Sequence, residues 1–291
     1  MTTAHTGPPS RLRRWLRRSP REWAWVIRRR LFPSWPHRVR FDGDLILEID
    51  PRDELATRYV LGEGFEPDVT AYFRDRVRTG MVVFDIGANV GHFTLLAAKR
   101  VGPTGQVYAF EASPTEYKKL TANVALNRLT NVVTNPMAVC DRTGTVSFQV
   151  CSDGLGLYNS LGTPLRQTAT SLQVPCTSLD DYLQATGMVR VDVLKIDVEG
   201  AERLVLAGGH RLLLRSDAPE VVCEFCDGTL RGMGSSSREL RRAFEELGYR
   251  VFRYDPGLRA LVSEPLRDHY DYDNLVCSKA RNRSDEDGQL D

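Results

Sequence analysis

Apolar residues along this chain recur with two periods, every second position in short runs and every third or fourth in longer ones. Residues 39–41 and 45–49 alternate on either side of Asp42-Gly43, which predicts a β-hairpin. Glu66-Pro67 opens a helix to about Val77 with Val69, Tyr72, Phe73 and Val77 on one face, and Thr79-Gly80 ends it. Strand-type and helix-type patterns then take turns: a strand over 81–86, a helix over 91–100, a strand over 106–110, a helix over 114–126 and a third strand over 131–139. Residues 143–150 and 169–175 read as antiparallel additions around a loop at 152–168. A short capped helix follows Thr177-Ser178-Leu179-Asp180. A buried strand is then expected over 191–196, a helix over 199–208, a strand over 220–225, a helix over 236–247, and closing strands over 249–254 and 273–278. Such alternation predicts a doubly wound, mostly parallel α/β sheet with ligands bound beyond the carboxyl ends of its strands.

The ends of the chain carry different patterns. Residues 1–10 and 282–291 are polar and read as unfolded, while 11–18 is an arginine run. Ser19-Pro20-Arg21-Glu22 has the form of a capping box, so a helix is expected to start there and stop before Pro33. Its Trp23, Val26, Ile27 and Leu31 share one face. Two roles fit a basic amphipathic helix: weak association of residues 11–32 with a membrane surface, or packing of the stripe on the rest of the protein, the favoured reading. The domain organisation expected is a basic arm and helix at 1–37, a hairpin and helix at 38–80, the main domain at 81–280 and an acidic tail at 281–291.

Charge sharpens this division. The formal net charge of +1 hides eleven Arg against one acid, Glu22, in residues 1–40, which leaves the remainder at −9. That negative balance gives no groove for nucleic acid, so none is expected as partner. No run reaches the ~20 apolar residues of a membrane span and no apolar segment follows the first basic residues, so a soluble, cytoplasmic protein is expected. The six cysteines are scattered and read as thiols. Cys223-Glu224-Phe225-Cys226 lacks the second pair or the histidine of a zinc site.

Two clusters carry chemistry. In Asp85-Ile86-Gly87-Ala88-Asn89-Val90-Gly91 the glycines let the backbone approach a ligand, but the loop has neither the G-x-G-x-x-G of a dinucleotide site nor the Lys and Ser/Thr of a P-loop. A cofactor without phosphates fits better, and S-adenosylmethionine, with its ammonium and sulfonium, suits an acidic neighbour such as Asp85. Glu111 ends the next strand, placed to accept both ribose hydroxyls. Asp141, after the third strand, is a candidate for the adenine amino group, with a turn acid as the alternative. His92 reads as a helix-start residue.

The second cluster is Lys195-Ile196-Asp197-Val198-Glu199-Gly200-Ala201-Glu202, which a central strand delivers to the cofactor face. Asp197, Glu199 and Glu224 are the candidate catalytic acids. One could deprotonate a hydroxyl, or the three could hold a divalent cation; the metal is not favoured, because no Asn or Asp follows Glu224 to complete an oxygen cage.

These two clusters, with Val107-Tyr108-Ala109-Phe110-Glu111, Asn123, Asn127 and Thr177-Ser178-Leu179-Asp180, resemble the FkbM family of methyltransferases over roughly residues 60–226. The resemblance implies a class I methyltransferase (Rossmann-like) fold of seven strands with the last antiparallel, here behind an N-terminal helical and hairpin extension. It implies S-adenosylmethionine as cofactor, held by Asp85, Gly87, Asn89, Gly91 and Glu111, with Glu66 closing over its methionine end. It also implies in-line methyl transfer to a hydroxyl of a small molecule such as a secondary metabolite or sugar. His92 stands where the family commonly has an aromatic residue. A different class remains open, a catalytically inactive cofactor-binding adapter acting through the basic arm. The acceptor, set by loops at 152–168 and 226–236, and the oligomeric state are not legible.

Overall fold

A computed structural model describes residues 19–32, 35–62, 64–151, 159–162 and 169–279. The arginine run at 11–18, most of the 152–168 loop and the acidic tail lie outside these residues. No helix among the described residues is long and apolar enough to cross a membrane.

The hairpin forms from β1 (His37–Phe41) and β2 (Leu45–Ile49), paired antiparallel around a turn in which Asp42 and Gly43 both take positive φ. Its buried face, Leu45, Leu47 and Ile49, packs with Ala56, Val60, Val90 and Leu95. The outer edge of β2 is closed by two amides one helical turn apart on the helix Pro114–Leu126 and its cap. Asn127 accepts from Ile46 N at 2.8 Å and donates to Ile46 O at 2.6 Å, and Asn123 does the same to Glu48 N at 2.7 Å and Glu48 O at 3.0 Å. Side chains thus substitute for a third strand and satisfy an edge that would otherwise be open.

The central sheet has eight strands: β3 (Val82–Ile86), β4 (Gln106–Phe110), β5 (Val132–Asn135), β9 (Val193–Ile196), β10 (Glu220–Phe225), β11 (Arg250–Asp255), β12 (Ala260–Ser263) and β13 (Asp273–Ser278), in the order β12-β11-β13-β10-β9-β3-β4-β5. The pairings from β10 through β9, β3 and β4 to β5 are parallel, and β13 runs antiparallel between β10 and β11. This is the class I methyltransferase arrangement of seven strands with the last antiparallel. The short β12 extends it at one edge, a strand that exposed Leu258 and Val262 gave no sequence signal for. Strand parity separates two cores. Phe84, Ile86, Leu194, Ile196, Val221 and Cys223 face one, packed by Leu206, Leu213 and Phe244. Val83, Val193 and Val222 face the other, packed by Phe73, Phe93 and Leu96. Covered on both faces, these strands read as continuous apolar runs.

Three local expectations change. The third strand does not run over 131–139: it stops at Asn135, because Pro136 has no N–H for the ladder, and β6 (Ala138–Val139) joins a separate sheet of order β6-β8-β7. In that sheet β7 (Gly144–Cys151) and β8 (Ala169–Thr177) pair antiparallel, as expected. The helix expected from 199 begins at Glu202, since Glu199 and Gly200 take φ of 52° and 104°. The helix Pro20–Leu31 has its capping box, but only part of the expected stripe is covered, with Trp23 and Val26 half-buried. Trp25 is buried among the hairpin residues with its indole N–H on Thr57 Oγ1 at 3.2 Å, whereas Ile27 and Leu31 are 53% and 63% exposed. Burying one indole with its donor satisfied outweighs burying two aliphatic side chains. Three short helices, Glu54–Leu61, His210–Leu214 and Asp227–Gly232, also lie where no helix was read.

Candidate active site

The carboxyl ends of β3, β4 and β9 open into one cleft of about 670 Å³, open solvent at its mouth included. Its floor is the turn after β3. Gly87 (φ 80°) and Asn89 (φ 50°) are left-handed, and a Cβ on Gly87 would lie 1.7 Å from the carbonyl oxygen of Asp197, so only glycine lets the β3 turn and the end of β9 touch. Gly87 and Ala88 donate their N–H groups to Phe110 O at 3.0 and 2.9 Å, which fixes the turn against β4.

Glu111 follows β4 and lines the cleft. Each carboxylate oxygen accepts one backbone amide, Asn89 N at 2.8 Å and Ser113 N at 2.8 Å. One lone pair on each oxygen is thereby used, leaving acceptor capacity for a pair of hydroxyls. Burial pushes Glu111 up to about 7 despite those two donors.

Parity gathers the charged groups on one face of the sheet. Asp85, Lys195 and Glu224 lie on the side of Val83, Val193 and Val222, and Asp85 pairs in register with Lys195. All three are buried. Lys195 Nζ donates to Asp197 Oδ2 at 2.8 Å. Burial opposes its charge, but Asp197, Asp85 and Glu66 more than offset that and hold it protonated. Asp85 accepts from Thr94 Oγ1 at 2.6 Å, while its other oxygen has no partner among the described residues. Burial raises its carboxyl, with Lys195 opposing. Glu66, at the start of the helix Pro67–Arg76 with φ 40°, is buried and accepts from Tyr272 OH at 3.1 Å. Burial and then Asp197 push it up to about 7.

The turn after β9 supplies the remaining acids. Asp197 and Glu199 line the cleft, half-buried. The Glu202 carboxylate accepts from Val198 N at 3.3 Å and Gly200 N at 3.1 Å, so it braces this turn. Ser160, in the described part of the long loop, donates to Glu199 O at 2.7 Å. Neither carboxylate oxygen of Glu224 has a hydrogen-bond partner among the described residues, and burial followed by Glu199 and Asp197 raises it well above the usual range.

Not every candidate lines the cleft: Glu66, Asp85 and Glu224 are buried and are not among its lining residues. Asp141 is exposed and ion-paired with Arg142 at 3.0 Å, because the departure of β6 to the second sheet carries it away. Gly91 is the N-cap of the helix His92–Val101, and a Cβ there would meet Leu120 rather than a ligand. His92 sits among Phe41, Tyr59, Phe65 and Phe93, which is how it fills an aromatic position; burial holds it neutral, down to about 3. The structure adds Phe65, Met137, Phe148, Leu161 and Tyr272 to the cleft wall. Of these, Leu161 falls in the 152–168 loop that the sequence assigned to the acceptor.

The glycine turn, the strand-end carboxylate and the acids after the next central strand stand together at the carboxyl ends of a class I methyltransferase fold. The family model described as the methyltransferase FkbM domain matches residues 85–251, more than half of the chain. The chain therefore belongs to the FkbM methyltransferase family. Among its relatives, 31-O-demethyl-FK506 methyltransferase FkbM from Streptomyces tacrolimicus is 31% identical over 45% of this chain and 60% of its own length. A methyltransferase from Beauveria bassiana is 29% identical over 65% of this chain and 82% of its own. The match to 2-O-methyltransferase NoeI of Sinorhizobium fredii is 28% over 46% of this chain and 60% of that one. The chain thus spans about three fifths of two of these relatives. A crystal structure of methyltransferase FkbM from Methylobacillus flagellatus aligns with TM-score 0.42 and 14% identity, over 69% of this chain and 44% of that one.

Proposed function

We propose that this protein transfers a methyl group from S-adenosylmethionine to a hydroxyl oxygen of a small molecule, a secondary metabolite or a sugar. The observation that carries the reading is the convergence of Glu111 and the Asp197–Glu199 turn on one cleft, in a chain of this family. Relatives named for 31-O- and 2-O-methylation support an oxygen acceptor, and one named for a hexuronic acid supports a sugar as substrate.

The residues present fit the cofactor. Two buried oxygens without partners, Asp85 Oδ1 and Glu66 Oε2, suit a cationic amino-acid end, Glu111 suits a ribose, and the apolar wall of Met137, Ala138 and Phe148 suits an adenine ring. When bound, S-adenosylmethionine supplies a methyl group activated by its sulfonium. The chain's own task is to orient the acceptor and take its proton. Asp197 lines the cleft with one oxygen held by Lys195, which fixes the rotamer of the carboxylate. Burial and Asp197 raise Glu199, the direction that makes a carboxylate a stronger proton acceptor. Phe65 and Tyr272 border the same space and narrow the access of water to it.

The test is incubation with methyl-labelled cofactor and a fractionated metabolite extract, with identification of the labelled product by mass. Asp197→Ala is expected to lower turnover by about a hundredfold or more while cofactor binding stays within a few-fold. Full turnover in that variant would remove Asp197 from the mechanism, and label appearing only on nitrogen or on macromolecules would overturn the proposed acceptor.

A further inference from the structure

The three acids named from the sequence come together beyond β9 and at the end of β10. One carboxylate oxygen each from Asp197, Glu199 and Glu224 lies within 4.8 Å of the others. Oxygens around a six-coordinate divalent ion stand about 3 Å apart when adjacent and roughly 4–5 Å apart when opposite, so this spacing can close on an ion with small side-chain movement. Glu199 stands in a left-handed turn after β9, and this turn holds it beside Asp197 and Glu224.

A separate observation points to an occupant. Glu224 is 1% exposed, and neither of its oxygens has a hydrogen-bond partner among the described residues. Buried carboxylates are otherwise hydrogen-bonded, paired or metal-bound. Lys195 is the cation nearest the cluster, and its ammonium is already bonded to Asp197. That ammonium also faces Asp85 and Glu66, so it is shared among more carboxylates than this cluster alone. All three donors are carboxylate oxygens, with no nitrogen or sulfur among them, which selects a hard cation such as Mg²⁺, Mn²⁺ or Ca²⁺.

We propose that Asp197, Glu199 and Glu224 form a binding site for one hard divalent cation at the inner end of the cleft, with open positions facing the acceptor. Asp197 and Glu199 line the cleft, so an ion held between them is reachable by an acceptor hydroxyl. Coordination of that hydroxyl lowers its pKa and holds the oxygen in place, a task otherwise left to a carboxylate base. This role in turnover rests on the hydroxyl-methylation reading; binding of the ion does not.

The full chain is titrated with Mn²⁺ at about pH 8, where carboxylates compete best with protons, and free Mn²⁺ is followed by electron paramagnetic resonance. S-adenosylhomocysteine binding is measured on the same samples by calorimetry. One Mn²⁺ per chain with Kd below about 1 mM is expected, displaced by Mg²⁺ and weakened at least about tenfold in Glu224→Gln. Glu199→Gln is expected to weaken it similarly, and is the variant read if Glu224→Gln does not fold. Absence of saturable binding up to about 5 mM, or binding unchanged in the folded variants, overturns the site. Intact S-adenosylhomocysteine binding without Mn²⁺ binding would sink the cation site alone, whereas Mn²⁺ binding without S-adenosylhomocysteine binding would sink the methyltransferase reading and leave the site standing.

Discussion

Gly87→Ala separates the two reasons a glycine is needed in the turn after β3. The first is conformational: φ is 80°, and an alanine held in the left-handed region costs about 1–2 kcal/mol. The second is contact. The new Cβ would fall 1.7 Å from Asp197 O and 2.8 Å from Asp197 C, both backbone atoms of the neighbouring strand end. Reaching ordinary van der Waals separation requires the two segments to part by roughly 2 Å. That displacement acts on Asp197 and on the turn carrying Asn89, so it moves both ends of the cleft. A misplacement of ~1 Å at reacting groups costs on the order of a hundredfold in rate. Gly187→Ala is the control: φ there is 69°, with nothing within 4 Å of the added Cβ. Calorimetry with S-adenosylhomocysteine and denaturant unfolding should therefore show a loss of about 1 kcal/mol in stability for Gly187→Ala with cofactor affinity unchanged. For Gly87→Ala the expected losses are about 2–4 kcal/mol in stability and at least tenfold in affinity. Equal behaviour of the two variants would refute the close approach of the two strand ends as the reason for Gly87.

Two further outcomes follow from buried titratable groups. Glu111 sits at about 7, raised by burial and to a smaller extent by Glu116 and Asp85, and only its ionised form accepts two hydroxyls. S-adenosylhomocysteine affinity should then rise between about pH 6 and pH 8, and Glu111→Gln should bind about tenfold more weakly with a shallower slope; a falling affinity, or the same slope in the variant, would contradict this. His92 is held at about 3 against 6.5 in the unfolded chain, so its contribution is fully present above 6.5 and is lost as pH falls toward 3. At pH 5 the loss is about 2 kcal/mol. His92→Phe should show a smaller drop in unfolding free energy between pH 7.5 and pH 5 than the parent chain, and an equal drop would place the acid sensitivity elsewhere.

The sequence by itself determined what is local. Caps and periods placed the helices at Pro20–Leu31, Pro67–Arg76 and Pro114–Leu126 and the strands Gln106–Phe110 and Glu220–Phe225, because an N-cap, a proline or a period of two acts within a few residues. Asp85, Gly87, Glu111 and Asp197 were legible for the same reason: each stands at the carboxyl end of a readable strand, where an α/β sheet binds its ligands.

What only the tertiary structure decided depends on which strands are neighbours and in what register. Lys195 and Glu224 are each a charged residue inside an apolar run, and their runs do not say that both share a face with Asp85. The order β10-β9-β3 and its pairing do. Pro136 diverts β6 into a second sheet, and that withdraws Asp141 from the cleft while leaving Met137 in its wall. Trp25 is buried more deeply than the expected stripe of the first helix because Thr57, thirty-two residues away, meets its indole N–H. Asp197, Glu199 and Glu224 were each legible, but their approach to within 4.8 Å depends on the left-handed turn at Glu199 and the pairing of β9 with β10. Side-chain chemistry is written one residue at a time, but a site is a distance between residues far apart in sequence, and that distance is set by strand order and register.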